Sequence, residues 1–314
     1  MKVKTINAVI NKKFDEWAGS ITDDEVRELV KKNSILTGGS IASMLLCEAV
    51  NDFDFYFKDF ETTKAVANYY VERFKINPPP SFADKTAHPK GVEIFVEEID
   101  PPVPECKEGK RVRIVVKSSG AANEVDPNSY AYFESRPPEA AGEYAEKVLS
   151  VKKDKEEKPD YRPVFLSDNA ISLSGDVQLV IRFYGTPEQI HDNYDYVHAT
   201  NFWTSWDRKV TLQVDALECL LTKELRYIGS KYPICSLIRA RKFIQREWTI
   251  NAGQYLKIAM QISELDLTDF DVFREQLVGM DVAYFMQVME LLKEKDPTKI
   301  NAAYLVEIID RIFG

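Results

Sequence analysis

The sequence has few of the residues that build disulfide bonds or imidazole-based metal sites. Its 314 residues include only 4 cysteines and 3 histidines. The cysteines are scattered, form no Cys-x-x-Cys pair and lie at Cys47, Cys106, Cys219 and Cys235. This pattern argues against a disulfide framework and against a zinc site. Any metal ion in this protein is therefore expected to be held by oxygen ligands.

Long apolar runs and an excess of positive charge are also missing. No apolar run approaches the length of a membrane span, and the residues after Met1 form no signal-peptide core. We therefore expect a soluble, cytosolic protein with no membrane partner. The net charge of -9 does not suggest tight, non-specific nucleic-acid binding over the whole surface. The hydrophobic content of 45% is ample for a core, and the length suits one large or two modest domains.

The most informative stretch is a glycine turn, Gly38-Gly39-Ser40, that precedes an apolar run. Apolar residues recur at helical spacing from Ile41 to Val50, which predicts a buried helix opened by the turn. Gly38 and Gly39 let the backbone come close to a ligand, and Ser40 offers a hydroxyl and an amide. Because a helix N-terminus favours negative charge, the glycine turn is a candidate cradle for phosphate groups.

Strict alternation follows in residues 52–57 and predicts a β-strand. Its three phenylalanines would face one side of a sheet, and Asp52 and Asp54 would face the other. Neighbouring carboxylates repel each other, and a fold seldom places them side by side unless a cation binds between them. The aspartates therefore indicate a divalent metal site close to the glycine turn.

The glycine turn, eleven further residues and Asp52-Phe53-Asp54-Phe55 together resemble the signature of the DNA polymerase β-like nucleotidyltransferase superfamily. The sequence of this stretch is most similar to divergent members of the superfamily from large tailed bacteriophages. The signature covers roughly the first 60 residues, and a looser resemblance extends over residues 178–203 and 221–257. The resemblance implies an α+β fold in which a nucleotidyltransferase-type mixed β-sheet is flanked by helices and followed by a C-terminal helical domain.

The resemblance also implies an activity. The enzyme would transfer a nucleoside monophosphate from a nucleoside triphosphate such as ATP to an acceptor hydroxyl, with release of pyrophosphate. The glycine turn would bind the nucleotide, and Asp52 and Asp54 would be catalytic and would bind two Mg²⁺ ions, for which Mn²⁺ could substitute. One ion would bind the triphosphate, and the other would lower the pKa of the attacking hydroxyl.

A third carboxylate stands on a neighbouring strand in this superfamily, and our candidate for it is Asp195. Its aromatic neighbours are typical of a partly buried strand with one inward acid, although a turn-capping aspartate gives the same pattern. Asp215 and Glu218 are the alternatives. Both look more like parts of a helix start, where acids interact favourably with the helix dipole.

The order of the predicted elements divides the chain into two domains. Residues 1–215 would form the nucleotidyltransferase catalytic domain, and residues 216–314 the helical domain. Prolines and charged residues crowd residues 78–163, which we interpret as an extension or insertion of the catalytic sheet. Two strands are predicted inside it, Val92–Ile99 and Arg111–Ser118.

The helical half contains a basic segment. Between Lys223 and Lys257 there are eight lysines and arginines but only two glutamates. A solvated helix face would give the same pattern. Because superfamily members commonly append a helical domain that closes over the nucleotide, the resemblance makes four of these bases candidates for binding phosphate. They are Lys223, Arg226, Lys231 and Arg239.

The acceptor stays open at this point. The basic segment favours an RNA or transfer-RNA end. One alternative is a protein-modifying, toxin-like enzyme that attaches AMP to a protein. Another is a non-catalytic nucleotide-binding or structural phage protein that retains the fold. The sequence shows no polymerase-like fingers, helix-hairpin-helix module or zinc element, which argues against a templated DNA polymerase.

Overall fold

A computed structural model of the chain describes residues 1–77, 93–101, 109–117 and 160–267, together with residues 269, 272 and 276. Most of the predicted extension and the end of the predicted helical domain lie outside these residues. The chain forms two compact units. The described residues up to 192, with 199–216, belong to the first unit, and residues 193–198 and those from 217 onward belong to the second. The domain boundary after residue 215 stays a prediction.

The described residues form helices and strands in a mixed α+β order, as the sequence predicts. The helices of the first unit are α1 (Val3–Ser20), α2 (Asp24–Asn33), α3 (Gly39–Leu46), α4 (Phe60–Ile76) and α5 (Pro187–His191). The strands are β1 (Ser34–Thr37), β2 (Phe53–Phe57), β3 (Glu93–Ile99), β4 (Arg111–Lys117), β5 (Pro163–Leu166), β6 (Ala170–Leu173), β7 (Val177–Tyr184), β8 (Phe202–Thr204) and β9 (Lys209–Thr211). Helix α6 (Val214–Thr222) continues into the second unit, which contains α7 (Pro233–Gln245) and α8 (Ala252–Ser263).

Seven of these strands form one mixed sheet in the order β5-β6-β7-β2-β1-β8-β9. Strands β2 and β7 are parallel, and the other neighbours in this sheet are antiparallel. Strands β3 and β4 pair separately as an antiparallel ribbon, which confirms the two strands predicted there. The parallel pairing brings the starts of β2 and β7 to the same end of the sheet.

Helices α1 and α4 cover the face of the sheet that carries the phenylalanines of β2. The rings of Phe55 and Trp17 lie 4.6 Å apart between centroids, and those of Phe14 and Trp203 lie 5.0 Å apart. The indole of Trp17 also donates a hydrogen bond of 2.9 Å to the hydroxyl of Tyr70. All three phenylalanines of β2 are fully buried, as predicted. Tyr56 is buried as well, and the pairing with β7 shifts register between Phe55 and Phe57, so the strict alternation holds only as far as Phe55.

The helix after the glycine turn is shorter than the sequence predicts. It ends at Leu46, because Cys47 takes a left-handed φ of 61°. A segment without regular secondary structure then leads to β2, which begins at Phe53, so that Asp52 lies just before the strand. None of the helices in the described ranges is both long enough and apolar enough to cross a bilayer.

The second unit has a small aromatic core around His198. The ring centroid of His198 lies 4.5 Å from that of Phe243 and 4.7 Å from that of Trp248. The hydroxyl of Tyr196 donates to the carbonyl oxygen of Ser236 at 2.7 Å. Burial lowers the pKa of His198 to about 4, so this ring is neutral at pH 7.

Replacing Tyr70 by Phe tests the buried hydrogen bond between α1 and α4. The change removes the acceptor of the Trp17 indole and leaves a buried N–H unsatisfied. We therefore expect the free energy of unfolding to fall by about 1–3 kcal/mol, measured by urea unfolding. The control is Tyr69→Phe, because the hydroxyl of Tyr69 accepts from the amide of Thr22 at an exposed site. The same loss of stability in both variants would contradict the conclusion that the loss in Tyr70→Phe is large because the hydrogen bond is buried.

Candidate functional site

The register between β1 and β2 brings the glycine turn beside the aspartates. Leu36 of β1 pairs with Phe55 of β2 in the antiparallel ladder. Continuing this register by one residue places Thr37 opposite Asp54. Strand β1 therefore ends where β2 begins, and the chain enters Gly38 next to the strand that carries Asp54.

A row of polar side chains crosses the sheet at this level. Asp54 pairs with Gln178 of β7, and Gln178 pairs with Ser172 of β6. Thr37 extends the row onto β1. Paired residues on neighbouring strands project from the same face, so these four side chains lie on the face opposite Phe55.

A pair of carboxylates lies at the starts of β2 and β7. The amide of Phe53 donates to the carbonyl oxygen of Asp176 at 2.8 Å, which holds Asp176 beside Asp52. Burial raises the pKa of Asp52 to about 6, and the negative charge of Asp176 adds to the increase. Such a pKa indicates two like charges held together in a partly desolvated place, where a divalent cation would be stabilised.

Lys13 of α1 supports the loop that carries Asp176. Its Nζ donates to the carbonyl oxygen of Gly175 at 2.9 Å and lies 5.2 Å from the ring centroid of Phe53. Burial lowers the pKa of Lys13, and the charges of Asp176 and Glu16 oppose that shift. A buried ammonium group beside the carboxylate pair offsets part of the repulsion within it.

The glycine turn forms the N-terminus of α3. Gly38 has a φ of 100°, a conformation that favours glycine. Its amide donates to the carbonyl oxygen of Ala199 at 3.1 Å. A Cβ atom on Gly39 would meet nothing within 4 Å, so the space beside this residue is open. Helix α3 has no side-chain cap and no acid in its first turn, which leaves its first amides available to an anion.

Ser40 adds a second feature to this helix start. Its side chain is buried, and its hydroxyl makes no hydrogen bond to any residue that the structure describes. Buried polar atoms without a partner are rare in native proteins. A ligand at the glycine turn would supply the missing partner.

Asp195 lies in the second unit and not on a strand. In place of the predicted strand, the segment has an isolated bridge at Tyr196 and a short 3-10 helix at Val197–Ala199, so that expectation is wrong. The carboxylate of Asp195 accepts a hydrogen bond of 2.6 Å from Nη1 of Arg239. This long-range pair has no local signal in the sequence. The role of Asp195 as the third carboxylate stays a prediction.

Three of the four predicted phosphate-binding bases are paired with carboxylates. The pairs are Arg239–Asp195 at 2.6 Å, Arg226–Glu218 at 2.9 Å and Lys223–Glu247 at 3.7 Å. The fourth base, Lys231, lies half-buried just before α7. A phosphate group would have to compete with the carboxylates for the three paired bases. Asp215 and Glu218 both lie on α6, at the helix start that the sequence predicts.

Asp176 is the carboxylate that sequence reasoning missed. The only local signal is the hairpin loop at Ser174-Gly175-Asp176, directly before the β-branched residues of β7. Within the described ranges, no group of three or more His, Cys, Asp or Glu side chains could hold a metal ion. Mg²⁺ is commonly bound by one or two carboxylates together with substrate phosphates. The aspartates and the glycine turn fit that second mode.

Comparison with known proteins identifies the family. A family model described as "Gabija anti-defense 2 family protein" matches residues 8–223. The protein named "Gabija anti-defense 2" of Bacillus phage SPbetaL7 is 22% identical over 116 residues, which are 37% of this chain and 29% of that protein. The match thus spans less than a third of the relative, and among solved structures none matches the chain. Because the family match covers more than half of the chain, including the glycine turn and its aspartates, the chain belongs to the Gabija anti-defense 2 family as a bacteriophage-type member.

Proposed function

We propose that the protein is a metal-dependent nucleotidyltransferase that serves the anti-defense role stated in the name of its family. One observation carries the proposal. An open helix N-terminus at the glycine turn lies beside a strand whose flanking carboxylates are held close together. Binding a triphosphate with its metal ion requires these two parts at one place. Both parts lie within the family match.

The triphosphate would bind at the start of α3. The amide of Gly38 is already used by the carbonyl oxygen of Ala199, so the donors are the amides of Gly39, Ser40 and Ile41. The open space beside Gly39 admits the phosphate oxygens, and the unpartnered hydroxyl of Ser40 adds a donor. The helix dipole contributes further attraction for the negative charge.

Two carboxylates from the set Asp52, Asp54 and Asp176 would hold Mg²⁺ together with the triphosphate, because the described residues contain no group of three acids that could hold the ion. Asp176 takes the place of Asp195 in this proposal, because the charge of Asp176 acts directly on Asp52 whereas Asp195 is paired with Arg239. Bound Mg²⁺ would polarise the phosphoryl group and lower the pKa of the acceptor hydroxyl. The hydrogen bond from Lys13 to the preceding loop would keep Asp176 in position.

The remaining steps follow from the same residues. The acceptor oxygen would attack the α-phosphorus in line while its proton passes to a carboxylate. The amides of the glycine turn would stabilise the charge that develops on the departing pyrophosphate.

The class of acceptor is identified by offering RNA and protein together to the enzyme with a labelled triphosphate. The ion pairs of Arg226 and Arg239 weaken the argument for an RNA acceptor, because phosphates would have to displace carboxylates. The protein is incubated with each labelled triphosphate, Mg²⁺ or Mn²⁺, and a lysate containing both macromolecules. Label in the protein fraction would identify a protein-modifying enzyme, and label in RNA an end-modifying one. Nucleotide binding without release of pyrophosphate would overturn the proposal in favour of a non-catalytic protein.

Asparagine variants distinguish the two candidates for the third carboxylate. We expect Asp54→Asn and Asp176→Asn each to lower the rate of pyrophosphate release by roughly a hundredfold or more, because metal-ion catalysis contributes several kcal/mol. We expect Asp195→Asn to retain most of the rate. Loss of activity in Asp195→Asn with normal activity in Asp176→Asn would restore Asp195 as the third carboxylate.

Asp52→Asn should raise stability while it removes activity. The folded state raises the pKa of Asp52 from 3.8 to about 6, so the charged form is disfavoured by folding. The wild type should therefore lose stability as the pH rises from about 4 through about 6, and the variant should lack this loss. Above pH 7 we expect the free energy of unfolding of the variant to exceed that of the wild type by on the order of 1–3 kcal/mol. The variant should therefore have the higher melting temperature. A series of melting curves from pH 4 to 8 measures the difference, and a less stable variant at pH 8 would contradict it.

Gly39→Ala separates ligand binding from folding. The added methyl group meets nothing within 4 Å, so the fold should tolerate it, but it occupies the space that the phosphates need. We expect the affinity for ATP with Mg²⁺ to fall at least about tenfold with no loss of melting temperature. Gly19→Ala in α1 is the matched control, since its Cβ is equally free and it lies outside the site. Equal affinities in both variants would argue against phosphate binding at the glycine turn.

A further inference from the structure

Asn201 lies directly beside the glycine turn. Thr37 pairs with Phe202 in the ladder of β1 and β8, and continuing this register places Gly38 opposite Asn201. The hydroxyl of Thr37 donates to the carbonyl oxygen of Asn201 at 3.0 Å. The amide of Gly38 donates to Ala199, two residues before Asn201, at 3.1 Å. These two bonds fix the backbone of Asn201 next to the turn.

One polar atom of Asn201 has no partner. The side-chain oxygen Oδ1 accepts a hydrogen bond of 2.9 Å from the amide of Gln213. That bond settles which branch of the side-chain amide is the oxygen and leaves Nδ2 on the other branch. Asn201 is fully buried, and Nδ2 makes no hydrogen bond to any residue in the described ranges. A buried donor without an acceptor is costly, so an acceptor is expected there.

Thr37 and His191 hold this arrangement without using Nδ2. The hydroxyl of Thr37 gives its proton to a backbone carbonyl, so it accepts from Nε2 of His191 at a distance of 2.8 Å. Burial lowers the pKa of His191 to about 4, which keeps the imidazole neutral and able to donate from one nitrogen only. The backbone of Asn201 is therefore positioned by a partly buried chain of neutral hydrogen bonds.

Two unpartnered polar groups thus flank the same turn. Ser40 follows Gly38 by two residues and has a buried hydroxyl without a partner in the described ranges, and Asn201 lies opposite Gly38. The start of α3 favours negative charge between them. We infer that Asn201 donates from Nδ2 to a phosphate oxygen of the nucleotide held at the glycine turn. This inference rests on the proposed function and adds to it a binding residue that directly precedes β8.

Asn201→Asp tests the inference with a side chain of almost the same shape. The variant keeps an oxygen for the amide of Gln213 but replaces the Nδ2 donor by an atom that repels phosphate. Binding of ATP and of inorganic triphosphate, each with Mg²⁺, is measured by calorimetry. We expect the affinity for both probes to fall at least about tenfold, because a charge-assisted hydrogen bond is lost. The matched control is Asn7→Asp, because Oδ1 of Asn7 accepts from the amide of Val210 at 3.0 Å in the same way.

A second measurement keeps the test decisive if Asn201→Asp does not fold. In ¹⁵N-edited spectra of the wild type, the side-chain amide signals of Asn201 should shift when inorganic triphosphate is added. Their assignment comes from the conservative variant Asn201→Ser. Unchanged signals in a protein that binds triphosphate would overturn the inference.

The outcomes separate this inference from the proposed function. If the wild type binds triphosphate and Asn201→Asp binds it equally well, the inference is wrong and the proposed function stands. That result is expected if Nδ2 donates its hydrogen bond to a water molecule instead of a phosphate oxygen. If the wild type binds neither ATP nor inorganic triphosphate, the proposed function fails, and the assignment of Asn201 fails with it.

Discussion

The antiparallel pairing of β1 with β2 is the constraint on which the rest of the structure depends. Leu36 and Phe55 face each other in this pair and are fully buried on the side covered by α1. Side chains alternate along a strand, so a slip of one residue would move Phe55 toward the opposite face and Asp54 into the core. Hydrophobic packing on one face of the sheet therefore fixes the geometry of the polar row on the other face and of the glycine turn at the end of β1.

The parallel pairing of β2 with β7 adds an electrostatic constraint. It holds Asp176 beside Asp52, although both carry negative charge and Asp52 is partly buried. The fold tolerates this repulsion with help from Lys13, which reaches the carbonyl oxygen of Gly175 from the core side. Folding alone gives no reason to keep such an arrangement. The proposed binding of a cation would give one, because the repulsion would then become attraction for the ion.

Local patterns in the sequence predicted the parts of the site that are local in the chain. The spacing of apolar residues changes from helical to alternating between α3 and β2, and this change indicated both elements and the buried phenylalanines of β2. The glycines at the start of α3 indicated the turn. Asp176 was not indicated, because its position beside Asp52 arises from a strand pairing across more than a hundred residues of chain. The predicted strand around Asp195 is absent, and the hydrogen-bond partner of its carboxylate, Arg239, lies 44 residues further along the chain, where no local pattern could indicate it.

The position of the candidate site within the chain also concerns how the proposed reaction would select its acceptor. A glycine turn and a set of carboxylates can serve any acceptor hydroxyl, so these residues alone do not select the acceptor. The family match contains all of them but ends at residue 223, before α7 and α8 begin. In those later helices, Arg239 is already engaged with a carboxylate of its own unit. In the proposed reaction, selection of the acceptor would therefore depend on features outside the proposed phosphate and metal site, and a substitution within that site should change the rate for every acceptor alike.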